Sequence, residues 1–186
     1  WKKIKDISPL LTLKKLQYVG DDGETVLMLA SERGDDVVVK TLLKEGNADA
    51  NATDKYGRTA LMFASGRGRD AVVQVLLKDG NADANLADRS GWTALMGASN
   101  GGHNAVVQTL LKEGNADANV ADKRGRTALM IAIKEGHNAV VLTLIKDGNA
   151  DANKANNNGE TALFFASKHS HGPVIKTLIE KYKCGC

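Results

Sequence analysis

Gly91-Trp92-Thr93-Ala94-Leu95-Met96 decides the fold, because near copies of it begin at Gly23, Gly57, Gly125 and Gly159, each 34 residues from the next. A fixed period of this size marks a stack of one supersecondary unit, whose shared core runs the length of the chain instead of filling a single globule. With 186 residues, 42% of them hydrophobic and only 4% aromatic, that core has to be built from Leu, Val, Ala and Met.

Around the repeated stretch, residues 53–86 show the logic of one unit. Asp54-Lys55-Tyr56-Gly57 is a turn signal, and Thr59 is the cap of a short helix, Ala60-Leu61-Met62-Phe63-Ala64-Ser65, which Gly66 and Gly68 stop after about two turns. Asp70 is expected to cap a second helix, where Val72, Val73, Leu76 and Leu77 make a broad apolar stripe. Gly80 is expected to close that helix in the left-handed conformation, and the small polar run Asn81–Asn85 to form a projecting loop or hairpin. Helices this short are marginal alone in water, so stacking has to stabilise them. Ala60, Ala64 and Ser65 are small enough for neighbouring first helices to approach closely.

The period divides the chain into units 20–52, 53–86, 87–120, 121–154 and 155–186. The last lacks the Gly and hairpin that end the others and reads as a polar C-terminal cap. Residues 1–19 carry no copy of the repeat, yet Ile4, Ile7, Leu10, Leu11, Leu13, Leu16 and Val19 recur at roughly helical spacing. They are expected to form an N-terminal helical cap, with a helix from about Ser8-Pro9.

Turn, Gly-x-Thr-x-Leu, two short antiparallel helices and a Gly-Asn-Asp-Asn loop together resemble the ankyrin repeat. A tetratricopeptide repeat shares the period but wants an aromatic-rich helix pair with little Gly between the helices. The resemblance covers residues 20–186 and implies an all-α solenoid of helix-turn-helix units with projecting hairpin loops. Three features depart from the family. Its Thr-Pro-Leu-His is here Thr-Ala-Leu-Met, so that Met28, Met62, Met96 and Met130, with Phe164 in the last unit, replace a histidine that bonds the threonine. That polar link is expected to be absent, with buried, soft packing in its place. One residue is added to the usual unit, Asn47, Asn81, Asn115 or Asn149, and Ser170 stands where Gly34, Gly68, Gly102 and Gly136 stand.

An enzyme site needs unlike groups converging once, whereas the notable residues here recur at one position of each unit. Asp54, Asp88 and Asp122 begin turns, and Thr25, Thr59, Thr93, Thr127 and Thr161 cap helices. No phosphate loop, nucleophile elbow or His-Glu-x-x-His pair occurs, so no catalytic residue and no cofactor is assigned. His103, His137 and His171 share a position between the two helices and serve the inter-helix turn. His169, His171, Cys184 and Cys186 match a zinc pattern only loosely, and no metal is assigned. Cys184 and Cys186 read as free thiols of a reducing compartment.

The resemblance implies a non-catalytic protein-binding module that works through hairpin tips and first helices, the concave surface of the family. Carried over position by position, that surface holds Tyr56, Arg58, Phe63 and Arg67; Arg89, Trp92 and Asn100; Lys123, Arg124, Arg126, Ile131 and Lys134; and Phe165. Trp92 is expected to lie exposed between the guanidinium groups of Arg58 and Arg126, an arrangement suited to an acidic peptide. Residues 20–52 carry eight acids against three bases and residues 121–154 six bases against four acids, which points an acidic stretch of a partner protein or peptide toward the central and C-terminal units. A net charge of +3 is too mild to call for nucleic acid. With no apolar run of membrane-spanning length and no signal peptide, a monomer of the cytoplasm or nucleus is expected, and the start at Trp1 suggests a segment of a longer protein. The same regularity would also suit a spacer within a larger protein or a consensus-built engineered scaffold.

Overall fold

The computed structural model describes residues 20–169 and 171–182, with the side chains of 181 and 182 left aside. The expected N-terminal cap at 1–19, Ser170, Cys184 and Cys186 lie outside the described residues. Among those described, ten helices form five pairs: α1 (Val26–Arg33) with α2 (Asp36–Lys44), α3 (Ala60–Gly66) with α4 (Asp70–Lys78), α5 (Ala94–Asn100) with α6 (Asn104–Lys112), α7 (Ala128–Lys134) with α8 (Asn138–Lys146), and α9 (Ala162–Lys168) with α10 (Gly172–Tyr182). First helices pack on first helices and second on second, so the pairs build a two-layer stack. Residue pairs Ala87 and Thr93, Ala121 and Thr127, and Ala155 and Thr161 close the hairpins through isolated antiparallel bridges.

Every first helix begins where its threonine predicts. The Oγ1 of Thr59, Thr93 and Thr127 accepts the N–H of Met62, Met96 and Met130 at 3.3 to 3.4 Å, satisfying a donor that the first turn leaves orphaned. The methionines are buried, Met96 to 1% exposure, between successive first helices. In the first pair a polar link does return, because the Met28 thioether accepts the Thr25 N–H at 3.3 Å. Phe164, the counterpart in α9, is 44% exposed because no described helix follows to cover it.

Two helix boundaries differ from expectation. Asp70 is the first residue of α4, not its cap; Arg69 caps without a side-chain bond. The Asp70 carboxylate instead accepts the Thr109 hydroxyl at 2.8 Å and Gln74 Nε2 at 3.0 Å, tying α4 to α6. Thr143 and Asn104 make the same rung between α8 and α6 at 2.8 Å. Gly80 is not left-handed either. The positive φ falls on Asn47, Asn81, Asn115 and Asn149, at 47 to 49°, while a Cβ on Gly80 would meet the Leu76 carbonyl oxygen at 2.8 Å. Glycine is needed there for close approach, and the added Asn supplies the reversal, an option open to Asn more cheaply than to most residues.

Small residues pave the interface between first helices, with Ala64 and Ser65 fully buried. The hydroxyls of Ser31, Ser65 and Ser99 find no hydrogen-bond partner there among the described residues. Ser99→Ala should therefore raise stability by about 0.5–1.5 kcal/mol, since it removes an unsatisfied polar group and improves helix propensity. Urea unfolding would show a higher midpoint at unchanged slope; a lower midpoint would mean that the hydroxyl is satisfied.

Candidate functional site

Hairpin tips owe their shape to the first residue of each turn. Asp54 Oδ1 accepts the N–H groups of Tyr56 and Arg58, both at 2.8 Å, and Asp122 Oδ1 accepts those of Arg124 and Arg126 at 2.9 and 2.8 Å. Side-chain acceptance two residues on is the Asx turn that Asp favours. Successive tips are laced together by backbone bonds from Lys55 N–H to Asp22 C=O, Arg89 to Tyr56, Lys123 to Ser90 and Asn157 to Arg124, at 2.8 to 3.0 Å. A second ladder runs through the loops: Asn85 Oδ1 accepts the Asp117 N–H at 2.8 Å while its Nδ2 donates to the Asn115 carbonyl at 3.2 Å. Asn51 and Asn119 repeat that pattern. The histidines bridge units as well, with Nε2 of His103 and His137 at 3.2 and 3.0 Å from the carbonyls of Gly66 and Asn100.

On the face built from tips and first helices, the expected site residues separate into three environments. Tyr56 is exposed, as are Arg67, Arg89, Asn100, Lys123, Arg124 and Lys134. Arg58, Phe63, Trp92 and Arg126 are half-buried, and Ile131 and Phe165 are buried, at 4% and 7% exposure. Ile131 and Phe165, expected as contact residues, belong to the buried core and leave only a small surface at the crevices they line.

Nor does Trp92 lie exposed between two guanidinium groups. Arg126 sits over its ring at 5.5 Å, but the Arg58 guanidinium stacks on Tyr56 and Phe63, at 4.9 and 4.6 Å. The reason is an exchange of sizes. Gly97 occupies in α5 the position that Phe63, Ile131 and Phe165 hold in α3, α7 and α9, and a Cβ on Gly97 would already lie 3.6 Å from the indole Nε1. Trp92 reclines into the space that Gly97 vacates, whereas Arg58 has to ride on top of Phe63. Two departures five residues apart in one unit were the signal available in the sequence.

Arg58 and Arg126 are also committed within the chain. Arg58 Nε donates to Asp54 Oδ2 at 2.6 Å and its Nη2 lies 3.4 Å from Glu24; Arg126 Nε donates to Asp122 Oδ2 at 2.8 Å. Arg67 pairs with Glu32 at 2.8 Å and Lys134 with Glu135 at 3.0 Å. Lys55 contacts Asp22, a hydrogen bond that pushes the ammonium group above its ordinary range and keeps it charged; as an exposed surface pair it adds little to stability. Among the described residues Arg89, Lys123 and Arg124 enter no ion pair, so tip cations left available to a ligand cluster on the third and fourth pairs.

Two kinds of crevice result. One, of about 430 Å³, lies between the fourth and fifth tips and is walled by Arg124, Arg126, Lys134, Asn156, Asn157, Asn158, Glu160 and Phe165. Another, of about 310 Å³, lies across the first three pairs, where Glu32, Arg58, Phe63, Asp88 and Trp92 contribute. His169 and His171 stack at 6.1 Å between ring centroids, and no group of three or more metal-ligating side chains is assembled among the described residues. No helix among those residues is long and apolar enough to cross a membrane.

A family model described as ankyrin repeats, in three copies, matches residues 6–88 and 95–186. The first match begins inside the segment expected to be a cap. No curated protein matches the chain. Repeats of this family are generally protein-protein interaction modules and typically lack enzymatic activity.

Proposed function

The chain belongs to the ankyrin repeat family, and from that premise we propose that it is a non-catalytic binding module for a protein or peptide with an acidic stretch, which lies across the tips and first helices of the fourth and fifth pairs. The observation that carries this reading is the crevice of about 430 Å³ between Arg124 and Phe165. Three cations face it, and of these Arg124 has no carboxylate partner among the described residues. Phe165 supplies an apolar floor, and the side chains of Asn157 and Asn158 stand exposed on the rim. Glu160 is held by Asn156 Nδ2 at 2.8 Å, which occupies one of its oxygens with a donor of the same tip. A carboxylate entering beside Arg124 gains a bidentate partner, while an adjacent aliphatic side chain covers the floor.

The probe is a set of 12-residue peptides of Asp, Glu, Leu and Ser, with binding followed by fluorescence anisotropy. Reversing Arg124 and Lys134 to Glu should weaken the best binder at least about tenfold at low salt, mainly by slowing association, and flatten its salt dependence. Binding indifferent to both reversals, or the absence of any binder in the set, would overturn the reading in favour of a spacer.

A further inference from the structure

Three tips follow one rule and the third pair breaks it. In the second and fourth pairs, the turn aspartate uses one oxygen for backbone N–H groups and offers the other to the arginine four residues on: Asp54 Oδ2 takes Arg58 Nε at 2.6 Å, Asp122 Oδ2 takes Arg126 Nε at 2.8 Å. In the fifth pair Asn156 does the equivalent in reverse, its amide donating to Glu160 at 2.8 Å. In the third, Asp88 Oδ1 accepts the Ser90 N–H at 2.7 Å, the Ser90 hydroxyl at 2.6 Å and the Trp92 N–H at 2.8 Å. Four residues on stands Trp92, an indole with no charge to offer. Among the described residues no donor and no cation reaches Asp88 Oδ2.

That carboxylate is not turned into solvent at random. It borders both the crevice of about 310 Å³ that Trp92 lines and a second of about 520 Å³ beside Tyr56 and Arg89. Arg126 covers Trp92 from the following pair, whereas the smaller crevice draws its other walls from the first three pairs. Its two arginines are neutralised, Arg58 by Asp54 and Glu24, Arg67 by Glu32. Arg89 is the one cation lining either crevice that is outside an ion pair among the described residues.

We infer that Asp88 and Trp92 form a receptor for an arginine side chain of the partner, which supplies between molecules the guanidinium that Arg58 and Arg126 supply within the chain. The same turn holds a guanidinium in two neighbouring pairs, and guanidinium groups of this chain already stack on the aromatic rings of this face, over Tyr56, Phe63 and Trp92. A planar fork against a carboxylate and beside an indole combines both contacts. The inference does not depend on the acid-binding crevice, but the two fit one extended ligand. Adjacent helices lie about 8–10 Å apart and an extended chain covers about 3.3 Å per residue, so an arginine at Asp88 would stand roughly two to three residues from an acid at Arg124 in the next pair.

The test needs no acidic peptide. With Trp1→Phe, the Trp92 indole N–H gives an isolated signal in a proton-nitrogen NMR spectrum, and the probes are N-acetyl-arginine methylamide and its neutral isostere, N-acetyl-citrulline methylamide. The arginine derivative should shift the Trp92 signal saturably, and the citrulline derivative should bind at least about tenfold more weakly. Asp88→Asn should erase the difference while leaving the tip folded, since Asn156 makes the same turn and accepts the N–H groups of Asn158 and Glu160 at 2.9 Å. Reversal of Arg124 and Lys134 should weaken acidic-peptide binding at least about tenfold yet leave the arginine response unchanged, so that failure of one reading is told apart from failure of the other. No saturable shift, an equal response to citrulline, or a response that survives Asp88→Asn would overturn the inference.

Discussion

Met96→Ala is expected to cost about 2–5 kcal/mol of folding stability, the range for a long apolar side chain truncated in a packed interior. Met96 is 1% exposed, and its backbone is fixed by the Thr93 cap, so the helix cannot easily slide to refill the space. Met62, at 9% exposure, should lose less, and Phe164→Ala less again, because 44% of that side chain's surface is already in water. Urea unfolding of the three variants should rank them in this order. A loss below about 0.5 kcal/mol for Met96→Ala would remove it from the core that the stacking argument requires.

Gly125→Ala is the second large effect, at about 2–3 kcal/mol, and Gly159→Ala is its internal control. Both glycines have positive φ, 75° and 76°, so each substitution bears the strain of placing an L-residue there, about 1–2 kcal/mol. A Cβ on Gly125 would in addition meet the backbone nitrogen of Asn157 at 2.7 Å and the Cα of Asn156 at 2.9 Å, whereas at Gly159 nothing described lies within 4 Å. The excess loss at Gly125 therefore measures how tightly one tip presses on the next. Equal losses, compared by thermal unfolding, would mean that the tips are not held in register.

How much of this was open to a single sequence depends on whether a contact lies inside a unit or between units. Thr93 capping α5 and Asp54 shaping its own turn are contacts over three and four residues, and the spacing of the residue types shows them. The burial of Met96 follows from its place in the repeat, where the family it resembles carries a histidine. Asn85 recurs visibly, but that its amide spans to Asp117 and Asn115, 32 and 30 residues away, depends on how units are offset in the stack, which no residue type encodes by itself. The same holds for the rung from Thr109 to Asp70, 39 residues apart, which drew Asp70 away from the cap expected of it. Gly80 is ambiguous for a local reason: glycine serves both left-handed φ and close approach, and Asn81 takes the first.

For the candidate site, residue types on the face were legible and their commitments were not. Arg58 and Arg126 sit four residues after an aspartate, a spacing that in these hairpins brings the two side chains together and pairs each arginine within its own tip. The available cations are thereby Arg89, Lys123 and Arg124. Trp92, read as an exposed anchor, is a half-buried wall whose orientation comes from Gly97.

Partner binding by the face of tips and first helices is tested most directly by a chemical-shift map of the backbone amides on addition of the best acidic 12-residue peptide. Perturbations should concentrate at Arg124, Arg126, Lys134 and Asn156–Asn158, with saturation at one peptide per chain. Perturbations centred instead on the exposed apolar residues of the second helices, Val37 in α2, Leu142 in α8 and Ile179 in α10, would place the binding surface on the opposite layer and contradict the account.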